Sequence, residues 1–249
     1  MRLGEPIRAF LVARREDLDV PEAFGSVVLE RVVDTSTLAI VACVAARAVD
    51  APEWIVSGTT VAALGGGALM AVLVIVGVGP MVRQIHRLGS LIPGATKADG
   101  LLVRLDDFAR GVDRPSRSRV IIVAVIVSAA CWMFDAVTFT FVARSLDISI
   151  SPMAAVLIAA VTVLGTALPS APGYVGTFEL AAATTAQTLG VAAAPALAIA
   201  VLAHLLMVVP VAVGGALSLA AMDVQLGRLA LDATTADAPV LASTRPWRI

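Results

Sequence analysis

The few residues able to do chemistry in this chain sit in apolar company. Glu30, Arg31, Asp34, Asp135, Glu179 and His204 all fall inside long runs of Ala, Val, Leu and Ile. If those runs cross a bilayer, each charged group costs ~2.5 to 3.5 kcal/mol to insert, so each is a functional candidate. Asp34 follows Arg31 by three residues, so the two share a helical face and can pair. That pair reads either as an interfacial contact snorkelling to head groups or as a polar lining in which Arg31 grips a lipid phosphate, whose oxygens match its planar fork. Asp135 has no charged residue within one helical turn and needs a proton, or a contact from Thr138 or another helix. His204 reads either as a packed, hydrogen-bonded residue or as a proton relay.

Glu179 closes the segment Leu168-Pro169-Ser170-Ala171-Pro172-Gly173-Tyr174-Val175-Gly176-Thr177-Phe178-Glu179. Lipid offers no partners to the amides that such prolines and glycines leave open, so broken backbone at membrane depth must be buried in protein or face a watery cavity. Pro172, Gly173 and Gly176 therefore mark the expected functional centre. At the start of a helix, free amides and the macrodipole favour an anion. Glu179 either caps its own helix or meets a cationic or hydroxyl-bearing head group, while the free amides receive a phosphate.

These residues need helices to position them. With 59% hydrophobic residues among 249 and a mean hydropathy of +0.92, the chain is a polytopic membrane protein. The expected fold class is all-α, a transmembrane helical bundle with a Pro/Gly-broken or re-entrant helix pair. Apolar helices are expected over residues 21–49, 54–82, 120–143, 152–168, 178–189 and 195–222, with Gly65, Gly66 and Gly67 allowing close packing. The stretch 178–189 spans roughly 18 Å, well short of a ~30 Å hydrocarbon core, and reads as a half-helix. Residues 83–119 read as a loop on the membrane surface with one amphipathic turn or two. Residues 1–222 form the transmembrane domain, and 223–249 a partly disordered cytoplasmic tail.

The 17 Arg and one Lys are segregated: four precede residue 21, eight lie in 83–119 and three follow residue 222. Placing these segments in the cytoplasm orients the chain with both ends inside, in the cytoplasmic membrane. The same bias speaks of topology, so no nucleic acid partner is expected. Cys43 and Cys131 lie in apolar runs, and no disulfide, metal site or cofactor is expected. No cleavable signal peptide opens the chain. No nucleophile and base pair and no phosphate-binding Gly-Lys-Ser loop appears, so neither an enzyme nor direct ATP-driven transport is expected.

Three elements occur in order: Arg2-x-Gly4-Glu5-x-x-Arg8; Glu30-Arg31-x-x-Asp34; and Pro169-x-x-Pro172-Gly173-x-x-Gly176-x-x-Glu179, followed by Leu189-Gly190-Val191, His204 and Gly214-Gly215. Together they resemble the flippase-like family named after the membrane region of lysylphosphatidylglycerol synthase. The resemblance implies a bacterial or archaeal membrane protein that moves phospholipid or lipid-linked head groups across the bilayer. The alternative is a non-catalytic partner of a lipid-modifying synthase or glycosyltransferase, docked through residues 83–119. The implied partners are membrane lipids, anionic phospholipid or a lipid-linked substrate, in a polar cavity between helices 21–49, 120–143, 178–189 and 195–222. Glu5 and Arg8 join the candidate substrate-binding residues. The aminoacyl transferase domain of the bifunctional members is expected to be absent, and so are the helices that precede the first element in them. Glu5 to Glu30 and Glu179 to His204 both span 25 residues, a spacing suggestive of an internal repeat.

The charge distribution predicts the labelling pattern of single cysteines in a Cys-free background. Those near Ala51 and Ser149 react with an impermeant thiol reagent in intact cells, and one near Ala98 does not; the reverse pattern overturns the orientation.

Overall fold

The computed structural model describes residues 4–89, 99–116, 119–166 and 171–221, all in helices and their connections. The helices are α1 (Gly4–Glu16), α2 (Val20–Ala48), α3 (Glu53–Ile75), α4 (Gly79–Gly89), α5 (Asp99–Ser116), α6 (Val120–Ser145), α7 (Pro152–Gly165), α8 (Thr177–Thr188) and α9 (Ala193–Ala221). A 3-10 turn, Pro172–Tyr174, precedes α8. The chain divides into two compact units, Met1–Leu205 and Leu206–Ile249. The described part of the second continues α9, with Pro210 inside the helix. The expected tail, 223–249, and the front of the break, Leu168 to Ser170, lie outside the described residues.

Four helices stop in the same way. Asp17, Asp50, Asp147 and Gly190 take positive φ values of 53°, 48°, 57° and 92°. The next amide then bonds back to an alanine carbonyl five residues earlier: Leu18 to Ala13, Ala51 to Ala46, Ile148 to Ala143 and Val191 to Ala186, at 2.9–3.1 Å. This satisfies carbonyls that a helix end leaves open. Asp serves at three of the stops because a short polar side chain tolerates the left-handed region. Starts are equally local: Ser151 accepts from the Ala154 amide at 3.1 Å, and Pro152 opens α7.

α2 organises the first unit and packs on α1, α3, α5, α6 and α7. α7 also touches α6 and α8, and its residues Ala155, Leu157, Ile158, Ala160 and Thr162 are at most 1% exposed. A helix apolar on every side belongs inside the protein. Among the described residues, Glu53–Ile75, Val120–Ser145 and Ala193–Ser218 are long and apolar enough to cross a membrane. α2 is longer, about 43 Å over its 29 residues, but carries Glu22, Glu30, Arg31, Asp34 and Arg47. On α3, the expected close packing falls to Gly66, whose carbonyl accepts from Ser36 Oγ at 2.9 Å, while Gly65 and Gly67 face open space.

Two sequence-based expectations are corrected. The run 54–82 is broken: α3 ends at Ile75, Gly77 takes a φ of 82°, and α4 begins at Gly79. Asp113 of α5 holds that break, accepting from the Val78 and Gly79 amides at 2.6 and 2.9 Å. Hydropathy alone misses it, because the partner comes from 34 residues downstream. Nor is the described part of 83–119 a loop. It holds the end of α4 and an 18-residue helix, α5, whose Ala109 and Val112 are buried. α5 packs on α2 at a glycine crossing, with Gly25 against the Phe108 carbonyl and Gly111 against that of Glu22. Around it, Arg110 pairs with Asp107 and reaches Asp19 and Glu22 at 3.8 Å.

A methyl group on Gly111 would lie 1.9 Å from the Glu22 carbonyl oxygen. Gly111→Ala is expected to cost about 1–3 kcal/mol through overpacking. Gly58→Ala, where the added carbon meets nothing, should be neutral or stabilising by ~0.5–1 kcal/mol. Thermal unfolding of the purified variants in detergent checks this; equal behaviour of the two would remove the crossing from the account.

Candidate functional site

The break is built from three backbone positions in the left-handed region: Gly173 (φ 74°), Tyr174 (φ 60°) and Gly176 (φ 91°). Pro172 opens the 3-10 turn, and the Tyr174 amide bonds to the Ala171 carbonyl at 2.9 Å. Gly176 immediately precedes α8, and Glu179, in the first turn, reaches back to accept from the Gly176 amide at 2.7 Å. The other oxygen of the same carboxylate lies 2.5 Å from Nδ1 of His204 on α9. Glu179 is thus both a cap of its own helix and a cross-helix partner, and the two readings of it are not exclusive.

His204 is packed as well as bonded. Its ring stacks on Phe178 at 4.2 Å, and Phe178 stacks in turn on Phe139 of α6 at 6.3 Å. With the Glu179 carboxylate accepting at Nδ1, the neutral ring carries its hydrogen there and Nε2 becomes the acceptor. The Gly/Pro break, the carboxylate and the imidazole form one unit from α8 and α9, with α6 behind it. At ~1.5 Å per residue, His204 lies roughly 17 Å along α9 from its start, and Glu179 roughly 14 Å from the end of α8.

The earlier elements assemble separately, around α2. Arg8 of α1 grips Glu30 with two nitrogens, each at 2.9 Å, an exposed bidentate pair. Arg31 and Asp34 pair as their spacing predicts, at 3.7 Å. The second oxygen of Asp34 accepts from Ser128 Oγ of α6 at 2.6 Å, and Ser128 Oγ accepts from Trp132 Nε1 at 3.1 Å. The Glu5 side chain lies outside the described residues, so of the two 25-residue spacings one is a direct contact, Glu179 with His204, whereas the partner of Glu30 is Arg8. Even so, a short helix of 13 or 12 residues, a tight turn and a 29-residue helix occur in both places.

Asp135 corrects an expectation. Thr138 donates to the Phe134 carbonyl at 3.2 Å and not to Asp135, because a helical threonine finds its own i−4 carbonyl first. Among the described residues Asp135 makes no hydrogen bond or ion pair. A cavity of about 700 Å3 lies at the far ends of α2, α6 and α8, lined by Val49, Asp147, Ser149, Ser151 and Gly190 among others, and by none of the site residues read from sequence. Sequence reasoning missed Ser128, Phe139 and Phe178. Ser128, Trp132, Asp135 and Phe139 follow one another at steps of four, three and four, a single face of α6, and that periodicity was the available signal.

Comparison with known proteins shows what the chain is similar to. The family model for the lysylphosphatidylglycerol synthase TM region matches residues 1–215. The chain is 28% identical over 256 residues to the glycosyltransferase AglD of Haloferax volcanii, covering 90% of this chain. The match spans 41% of that relative's length. No solved structure matches the chain.

Because Gly173 sits at φ 74°, a β-branched side chain there is strained by roughly 1–3 kcal/mol. Gly173→Val should therefore lower the unfolding temperature more than Val61→Ala, a truncation on an exposed face of α3 where Val61 is 71% exposed. Equal melting of the two variants would show that the turn tolerates other backbones.

Proposed function

Because the chain belongs to the lysylphosphatidylglycerol synthase transmembrane-region family, we propose that it is a lipid-transport module moving a phospholipid or lipid-linked head group across the cytoplasmic membrane. One observation carries the reading: a carboxylate and an imidazole are held 2.5 Å apart beside broken backbone. Placing such a pair in an apolar helical bundle is costly. Glu179 offers charge to a cationic or hydroxyl-bearing group, and Nε2 of His204 can take up or release a proton as the group passes. Arg31, near the Arg-rich end of the bundle, is the phosphate contact. The cytoplasmic side proposed for that end, from its arginines, sets the 700 Å3 cavity at the other end of the bundle.

A second reading is a membrane partner for a lipid-modifying synthase or glycosyltransferase. The similarity to part of a glycosyltransferase supports it. Against it, the basic groups Arg110 and Arg114 of α5, the segment that would dock, already face Asp19, Glu22 and Asp107.

In proteoliposomes with labelled anionic lipid, the protein should speed transbilayer exchange. Glu179→Gln, which keeps size but removes charge, should abolish exchange with expression and thermal stability near wild type, and Arg31→Ala should slow it. Exchange no faster than in empty liposomes favours the docking partner. Normal exchange in a well-folded Glu179→Gln protein takes the carboxylate out of the transport site.

A further inference from the structure

α3 and α6 both pack on α2 and leave between them a groove of about 370 Å3, lined by Gly67, Met70, Val74, Ile121, Val125 and Ile126 among others, none with a polar side chain. Its floor is α2, where Met70, Ile121 and Val125 pack against the buried Leu29 and Val33. Its outer side is open: Ile122 is 59% and Ile126 62% exposed, and a carbon added to Gly67 would meet nothing within 4 Å. Along α3 the lining runs from Gly67 to Ile75, about 12 Å at the rise of an α-helix.

The groove ends at a cation. Arg119, which immediately precedes α6, keeps helical backbone angles (φ −62°, ψ −14°), and its carbonyl accepts from the Ile122 amide at 3.2 Å. Arg119, Ile122 and Ile126 therefore follow one another at steps of three and four on a single helical face. The Arg119 side chain is exposed and, among the described residues, takes no ion pair. α4, which begins just beyond Ile75, marks the level of this end: Met81 and Ile85 are exposed apolar residues one turn apart, with Arg83 and Gln84 between them, the pattern of a helix lying in the head-group layer.

Apolar along its length and basic at its mouth, the groove has the polarity of a single lipid; an apolar helix in the same place would bring no anion to Arg119. We propose that it binds one anionic glycerophospholipid, with an acyl chain between Met70 and Val74 of α3 and Ile122 and Ile126 of α6, and the phosphate on the Arg119 guanidinium, whose planar fork matches two phosphate oxygens. The site lies on other helices than Glu179 and His204 and does not rest on the transport reading. Bound lipid fills the space between α3 and α6 and, as a ligand of the folded chain alone, stabilises it.

The test uses the full chain, delipidated in detergent, and phosphatidylglycerol with a photoreactive diazirine in one acyl chain, the labelled peptides being mapped by mass spectrometry. Labelling should concentrate on residues 67–75 and 121–126. Excess unlabelled phosphatidylglycerol should compete, whereas diacylglycerol of the same chains and inorganic phosphate should not. Arg119→Gln should weaken labelling roughly tenfold at subsaturating lipid, the weight of one hydrogen bond to a charged group. Gly67→Leu, which fills the groove, should abolish labelling, while Gly58→Leu, equally open on the same helix, should not. Phosphatidylglycerol should raise the unfolding temperature of wild type and Gly58→Leu but not of Gly67→Leu, whose lipid-free unfolding temperature stays at or above that of wild type. Labelling spread evenly along α3 and α6 shows bulk lipid only and overturns the inference, as does competition by diacylglycerol or inorganic phosphate equal to that by phosphatidylglycerol. A groove left unlabelled while the rest of α3 is labelled is covered by protein, a second copy or another helix, and overturns it as well.

Discussion

Backbone interrupted at membrane depth must find its hydrogen-bond partners within the protein, because hydrocarbon supplies none. Glu179 meets that constraint twice over. One oxygen closes the Gly176 amide, and the other ties α8 to α9 through His204. A helix of 12 residues gains little from its own hydrogen bonds and needs tertiary contacts to persist. The carboxylate, the ring stack from Phe178 to Phe139 and the packing of α8 on α7 supply them. The group best placed to meet a substrate is therefore also a group that holds its surroundings in shape.

Small residues make the rest of the packing possible. α7 is sheathed on all sides because Ala154, Ala155, Ala159 and Ala160 let neighbouring helices approach it. Where α2 and α5 cross, even alanine is too large, and Gly25 and Gly111 lie against backbone carbonyls. That crossing brings α5 close enough to pair its arginines with the acids at the start of α2, which keeps those charges from the apolar surroundings. Similar logic governs the α3 to α4 break, where a carboxylate from α5 covers two open amides.

The two polar groupings lie along one side of α6. Near the Arg-rich end, Ser128 and Trp132 reach Asp34; further along, Phe139 meets Phe178 and through it His204. Asp135 falls between them. Side chains of this one face of α6 thus contact both groupings. In the family to which the chain belongs, that gives α6 a part the short motifs on α1, α2 and α8 do not reveal.

Local chemistry was legible in the sequence. The half-helix after the Pro/Gly segment and the Arg31 and Asp34 pair follow from spacing within a few residues, since helix geometry and backbone sterics act over one turn. The sequence could not tell which distant residues would meet. Glu179 chooses His204 25 residues away, Asp34 chooses Ser128 94 residues away, and Asp113 breaks an apolar run 34 residues before it. Each is a satisfaction problem solved across helices, and one apolar face looks like another until packing decides which faces another carboxylate or amide. For the same reason the basic stretch 83–119 read as a loop: its amphipathic face became a helix only because α2 offered glycine and acids to receive it.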